Sequence, residues 1–177
     1  MPLIDRRYAE ALELIASKNN EVDSFQDELK EVVNLYKNGT EFKYFLDNPE
    51  IKIDTKKEII KNIFSKSLKK EMVNFLLLLL DKGRIKFLPG IYEEFVKLAD
   101  IRRNMLNITI YSAANLDESQ INKLRDKYGK LYNASKVKAT AKIDPSLIGG
   151  IKVKIGDKVI DGSLKGRFES IREILMK

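Results

Sequence analysis

Three side chains are missing from this chain: cysteine, histidine and tryptophan. Without cysteine there is no disulfide framework, no thiolate nucleophile and no zinc–thiolate site, a composition that fits a reducing compartment. Without histidine the commonest general base and the commonest transition-metal ligand are gone, which excludes Ser/His/Asp catalysis and histidine-bearing metal centres. Long apolar runs are missing too. The longest, Phe75 to Leu80, falls far short of the roughly 18 to 20 residues that span a bilayer. The first residues, Met1-Pro2-Leu3-Ile4-Asp5, enter a helical pattern directly, with neither the apolar stretch of a signal peptide nor the acid-free character of a transit peptide. A bacterial-type cytoplasm is the expected location.

What the chain does have is an ordinary globular balance, 44% apolar and 33% charged residues, enough to bury a core. Its net charge of +7 is unevenly placed: residues 1–110 carry 19 basic and 18 acidic side chains, residues 111–177 carry 14 and 8. The excess therefore lies in the last third, where it suits an anionic partner such as a nucleic acid, a lipid surface or an acidic protein helix.

Up to about residue 105 the apolar residues recur at helical spacing. Tyr8, Leu12 and Ile15 mark a first helix whose alanines, among them Ala11, permit close helix approach. Val22, Phe25, Leu29, Val32, Val33 and Tyr36 make the strongest stripe, ended by Asn38-Gly39. A short third helix at Phe42, Phe45 and Leu46 must stop before Pro49. Asp54-Thr55 with Glu58 predicts a capping box for a fourth helix carrying Ile59, Ile60, Ile63 and Phe64. A fifth, Glu71 to Leu80, is apolar all round and so must be buried on more than one side. A sixth runs through Leu88, Ile91, Phe95, Leu98 and Ile101 to about Met105.

At Asn107 the period switches to two. Ile108 and Ile110 alternate with Thr109 and Tyr111, Asp117 caps a helix through Ile121, Leu124, Tyr128 and Leu131, and Val137, Ala139, Ala141 and Ile143 alternate with lysines and a threonine. Ile151, Val153 and Ile155 follow, then a Gly156-Asp157 hairpin turn, a return strand to Ile160, a cap at Asp161-Gly162-Ser163 and a last helix with Leu164, Phe168, Ile171, Ile174 and Leu175. The predicted architecture is an all-α six-helix N-terminal bundle over residues 1–106, followed by a small α/β domain, β-α-β-β-β-α, over residues 107–177. Helices on one face of its sheet leave a lysine-rich face opposite.

No catalytic constellation stands out. Gly149-Gly150 lacks any phosphate-loop pattern and predicts a bend or a close backbone approach. Asp144, Asp157 and Asp161 suit turns and caps better than a magnesium or acid/base cluster, and Ser163 suits a cap. The face of Lys136, Lys138, Lys142, Lys152 and Lys154 invites comparison with RNA-binding sheets, but its outward positions carry lysine and threonine where those sheets stack bases on aromatics. The first and fifth helices together offer a groove for an amphipathic helix of another chain. An RNA-binding module remains the alternative to a protein-binding role, and an enzyme ranks third.

The stretch Leu147-Ile148-Gly149-Gly150 through Gly156-Asp157-Lys158-Val159-Ile160-Asp161-Gly162-Ser163-Leu164-Lys165-Gly166-Arg167 strongly resembles the C-terminal signature of the delta subunit of rotary ATP synthases, the family of the oligomycin-sensitivity-conferring protein. Tyr8-Ala9-Glu10-Ala11-Leu12, Phe45-Leu46-Asp47-Asn48-Pro49, Asn74-Phe75-Leu76 and Gly83-Arg84-Ile85 fall in the same family's order. Arg7 departs from it, standing where proline is usual. The resemblance implies a non-catalytic stator subunit of the bacterial type, without cofactor, metal or nucleic acid and not forming a homo-oligomer. It would be peripheral to the cytoplasmic face of the cell membrane and serve ATP synthesis and hydrogen ion transport through the complex. It further implies that the groove receives the N-terminal helix of an alpha subunit on Tyr8, Ala11, Leu12 and Ile15 and on Phe75, Leu78 and Leu79. The second domain would meet the C-terminal ends of the b subunits of the peripheral stalk.

Overall fold

The structure, a computed structural model, describes residues 3–176, with the side chains of residues 169–171 and 173–175 outside that description. The sequence reading of Met1-Pro2 and of the last helix's Ile171, Ile174 and Leu175 lies outside it as well. Two compact units divide between Ala99 and Asp100.

The first unit is helical: α1 (Leu3–Lys18), α2 (Val22–Asn38), α3 (Thr40–Asp47), α4 (Ile53–Phe64), α5 (Lys70–Asp81), a 3-10 turn at Ile85–Phe87, and most of α6 (Leu88–Arg102). The α2 stripe does what its spacing predicts, burying Phe25, Leu29, Val32, Val33 and Tyr36 in a core shared with Leu12, Ile60, Met72, Leu76, Leu79 and Phe95. Fully burying one such side chain is worth about 1.5–3 kcal/mol. Gly39 at the end of α2 has an ordinary negative φ. A β-carbon there would stand 2.6 Å from the carbonyl of Leu35, so the close approach, not a left-handed turn, requires glycine. No helix among the described residues is long and apolar enough to cross a membrane.

Three local expectations fail. The capping box at Thr55 and Glu58 does not form, because α4 already begins at Ile53 and its N-cap is Lys52. The earlier start brings buried Lys56 to the end of α3, where its ammonium donates to the carbonyls of Leu46 and Asn48, each at 2.7 Å. These are carbonyls that a helix end would otherwise leave unpaired. The sixth helix stops at Arg102, not near Met105: Asn104 takes a positive φ of 49°, and Met105 and Leu106 are already strand. Ile101, expected on the apolar face, is exposed.

The second unit holds β1 (Met105–Ser112), α7 (Glu118–Tyr132), β2 (Lys136–Ile143), a 3-10 turn at Pro145–Leu147, β3 (Ile151–Ile155), β4 (Lys158–Asp161) and α8 (Leu164–Leu175). The sheet order is β2-β1-β3-β4, with β1 parallel to β2 and antiparallel to β3. A parallel neighbour requires a crossover, and α7 supplies it. It starts with a complete capping box, Asp117 accepting from the Gln120 amide and Gln120 returning the bond. Ile108, Ile110, Tyr128, Val153 and Ile155 form the buried core of this unit.

Candidate functional site

Helices α1 and α5 run antiparallel along a shared flank. Near one end the Tyr8 and Phe75 rings meet edge to face, 6.2 Å between centroids, and Arg84 Nη1, just beyond α5, donates to Tyr8 Oη at 2.9 Å. At the other end Lys69, just before α5, pairs with Glu21, just after α1, at 2.5 Å.

Between the helices lies a cleft of about 540 Å³. Its α1 wall is Ile4, Tyr8, Ala11, Leu12 and Ile15, the positions that a helix repeats every three or four residues. Its α5 wall is Phe75 and Leu78 with Asn74 and Glu71. Leu12 is fully buried and forms the floor, whereas Leu78 stands 43% exposed and Ile15 is also exposed. Arg7 and Arg84 mark one end of the cleft and Glu71 the other. An apolar trough with cations at one end and an anion at the other complements an amphipathic helix whose carbonyl end faces the arginines and whose amide end faces Glu71.

Of the seven residues singled out from the sequence, six line this cleft: Tyr8, Ala11, Leu12, Ile15, Phe75 and Leu78. Leu79 does not. It is fully buried in the core, because each helical step turns about 100° and carries the residue after Leu78 round to the inner face beside Met72 and Leu76. Sequence reasoning missed Ile4, Arg7, Glu71, Asn74 and Arg84. Ile4 and Glu71 were within reach of it, each lying four residues before a residue it did choose, Tyr8 and Phe75.

In the second unit the strand register places Thr109 and Tyr111 of β1, Lys138 and Lys142 of β2 and Lys152 and Lys154 of β3 on one face. Tyr111 stands between Lys142 and Lys152, which corrects the expectation that the outward positions hold only lysine and threonine. One tyrosine is too little to build the row of stacked bases on which single-stranded RNA binding depends. The three carboxylates do not converge into a catalytic cluster. Asp144 accepts from Ser146 N at 3.1 Å and Ser146 Oγ at 2.7 Å, and Asp161 accepts from Ser163 N at 2.8 Å. These bonds, with Lys152 and Lys165 nearby as a weaker influence, hold both carboxyls below the usual carboxylate range. Ser163, almost wholly buried, caps α8 by accepting from the Gly166 amide at 3.0 Å.

The family model of the ATP synthase delta (OSCP) subunit matches residues 4–175. ATP synthase subunit delta of Acetivibrio thermocellus is 46% identical over 177 residues, covering 100% of this chain and 99% of its own. The protein of the same name from Ruminiclostridium cellulolyticum is 44% identical over 175 residues, covering 99% of each. Among solved structures, a chain of the Toxoplasma gondii mitochondrial ATP synthase superposes with a TM-score of 0.71 at 19% identity, covering 100% of this chain and 99% of that one. A chain of the Polytomella F-ATP synthase reaches 0.51 at 23% identity, over 54% of this chain and 84% of that one. At these identities the structural likeness is one of fold, and it agrees with the sequence matches, which run end to end: the chain belongs to the ATP synthase delta (OSCP) subunit family.

Proposed function

We propose that the α1/α5 cleft receives the N-terminal helix of an alpha subunit, while the sheet unit meets the C-terminal ends of the b subunits on the cytoplasmic face of the membrane. The protein is a non-catalytic coupling subunit of a rotary ATP synthase and a peripheral part of that membrane complex. In this reading α1 to α6 form the family's six-helix bundle and the sheet unit its stalk-binding domain. Held at both ends, the catalytic head cannot turn with the rotor, and torque goes into the nucleotide sites.

The observation that supports it most is the cleft itself, apolar along its length and oppositely charged at its ends. An α-helix with its side chains is about 10–12 Å across and buries one stripe. Leu78 supplies the partly exposed apolar surface for that stripe, so Leu78→Asp places a charge against it without a partner. The variant is expected to bind an alpha N-terminal peptide more weakly by about 2–4 kcal/mol, because an unpaired charge is costly to bury. Isothermal calorimetry on the full chain decides it, and equal affinities for wild type and variant remove the cleft from the interface.

At the other end, the charge excess of residues 111–177 predicts attraction to acidic b-subunit ends. Affinity for a soluble b fragment should fall between low and physiological salt, as the screening length shortens to about 8 Å. A flat salt response rejects an electrostatic contact.

A further inference from the structure

A second cavity lies in the helical unit, between the end of α3, the start of α4 and the 3-10 turn that follows α5. Its volume is about 450 Å³, the scale of a small-ligand pocket, and it shares no lining residue with the α1/α5 cleft. Part of its wall is apolar. Three lysines line it as well, Lys52 and Lys56 from α4 and its cap, Lys86 from the turn.

The anomaly is Lys56. It is only 8% exposed, and its ammonium donates to the carbonyls of Leu46 and Asn48. An ammonium has three donors, so one N–H is left over, and no carboxylate pairs with this buried charge among the described residues. Buried charges are ordinarily paired, and the carbonyl end of α3 offsets only part of this one. The acids close by are committed or turned away. Asp47 lines the cavity, but its two oxygens accept from Tyr36 Oη at 2.8 and 3.0 Å and it faces Lys43 at 3.8 Å; Asp81 pairs with Lys57. Glu50 and Asp54 are exposed and outside the lining. Lys52 and Lys86 have no ion pair among the described residues, Lys86 lying over the Phe87 ring. The start of α4 adds charge of the same sign, since no side chain caps it and the first amides of a helix favour an anion.

We infer that this cavity binds a phosphate monoester, its phosphate held by Lys52, Lys56 and Lys86 at the start of α4 and its apolar organic part lying against Ile51 and Ile53. The inference goes beyond the stator reading and does not depend on it. Lysine suits a phosphate head, which it binds as a point charge without the bidentate geometry of arginine. The cavity is too large for that head alone, and Ile53, 41% exposed, and half-buried Ile51 offer apolar surface beside the lysines. No aromatic side chain lines it among the described residues, so a nucleobase would find nothing to stack on.

The test follows the backbone amides of the isotope-labelled full chain by NMR as phenyl phosphate, inorganic phosphate or phenol is added. It is run on wild type, Lys52→Gln, Lys86→Gln and the double variant; both lysines are exposed, so the variants are expected to fold as wild type does. Phenyl phosphate should shift the amides of residues 52–56 and 83–86 and leave those of Tyr8, Ala11 and Phe75 in the cleft unmoved. Inorganic phosphate should bind in the same place about tenfold more weakly, for want of the apolar contact, and phenol should not bind there. Each single variant should weaken phenyl phosphate about fivefold and the double variant more than about tenfold. Absence of any shift at millimolar phenyl phosphate overturns the site. Affinity unchanged in the double variant overturns the role of the lysines, phenol binding as tightly as its phosphate overturns the anion, and equal affinity for the two phosphates overturns the ester.

Discussion

The helical unit and the sheet unit bury apolar surface on different scales. Among the described residues the first has a continuous core running from Ala9 in α1 to Ala99 in α6, with Phe25, Leu29, Ile60, Met72, Leu76 and Phe95 at its centre. The second has a core cluster of five buried residues, with Leu147 buried apart from it, and its β4 strand is exposed along its whole length. Small domains are marginal because too little of their surface is removed from water. The helical unit can therefore give up part of one flank to a cleft and remain stable, while the sheet unit relies more on its turns and helix caps. A helical unit with an apolar cleft and a small, heavily charged sheet unit offer a coupling subunit two chemically unlike surfaces.

The sharpest way to break that contrast is to delete the same kind of side chain from each core. Leu76→Ala and Ile110→Ala each remove a fully buried residue, at a cost of about 2–5 kcal/mol. Domains hold about 0.05–0.15 kcal/mol per residue in total, so the loss at Ile110 is of the order of the sheet unit's whole stability. Ile110→Ala is expected to unfold β1 to β4 while α1 to α5 stay protected, and Leu76→Ala to lower the helical transition without abolishing it. Amide hydrogen exchange on the full chain reports both. Uniform loss of protection across all elements in either variant would mean that the units fold as one, and the contrast would go.

Much of this was legible in the sequence, and the failures have physical causes. The α2 stripe, the switch of period into β1, the Gly156-Asp157 turn and the Ser163 cap depend on neighbours a few residues apart, so spacing alone specifies them. The start of α4 was not legible because Lys56 answers to carbonyls at the end of α3, a contact between elements. Of the seven residues assigned to the cleft from the sequence six line it, and Leu79 does not, since Leu78 and Leu79 are both leucine in a helix apolar all round and only packing says which faces inward; Ile4, Arg7, Glu71, Asn74 and Arg84 were not picked out. The positive φ of Ile148 could not be foreseen at all. The sequence points to Gly149-Gly150 for the unusual backbone, and Gly150 does take positive φ, but the strain sits on the isoleucine.

A finer comparison comes from pH, because the two units carry carboxylates displaced in opposite directions. Asp5 in α1 is buried, has no partner for Oδ1, and is pushed up by burial first and then by Glu94 and Glu93. Its contribution to stability is fully present below its unfolded pKa and is lost as pH rises through the raised folded value. Asp144 and Asp161 are held down by their serine partners, so their contribution is present above the unfolded pKa and is lost as pH falls through the lowered folded values. Acidification should thus favour the helical unit and weaken the sheet unit, separating their thermal transitions as pH drops from about 7 to about 3. Asp5→Asn removes the charge that burial penalises. It is expected to raise the helical transition at neutral pH and to flatten that unit's response, leaving the acid sensitivity of the sheet unit untouched. Transitions followed by circular dichroism at several pH values would show it, and a helical transition that still weakens between mild acid and neutrality in Asp5→Asn would place the titrating group elsewhere. The effect is the smallest of those predicted, because among the described residues of the helical unit Asp5 is the carboxylate that drives it. It is also the most direct check on the contrast between the units, since a single perturbation moves them in opposite directions.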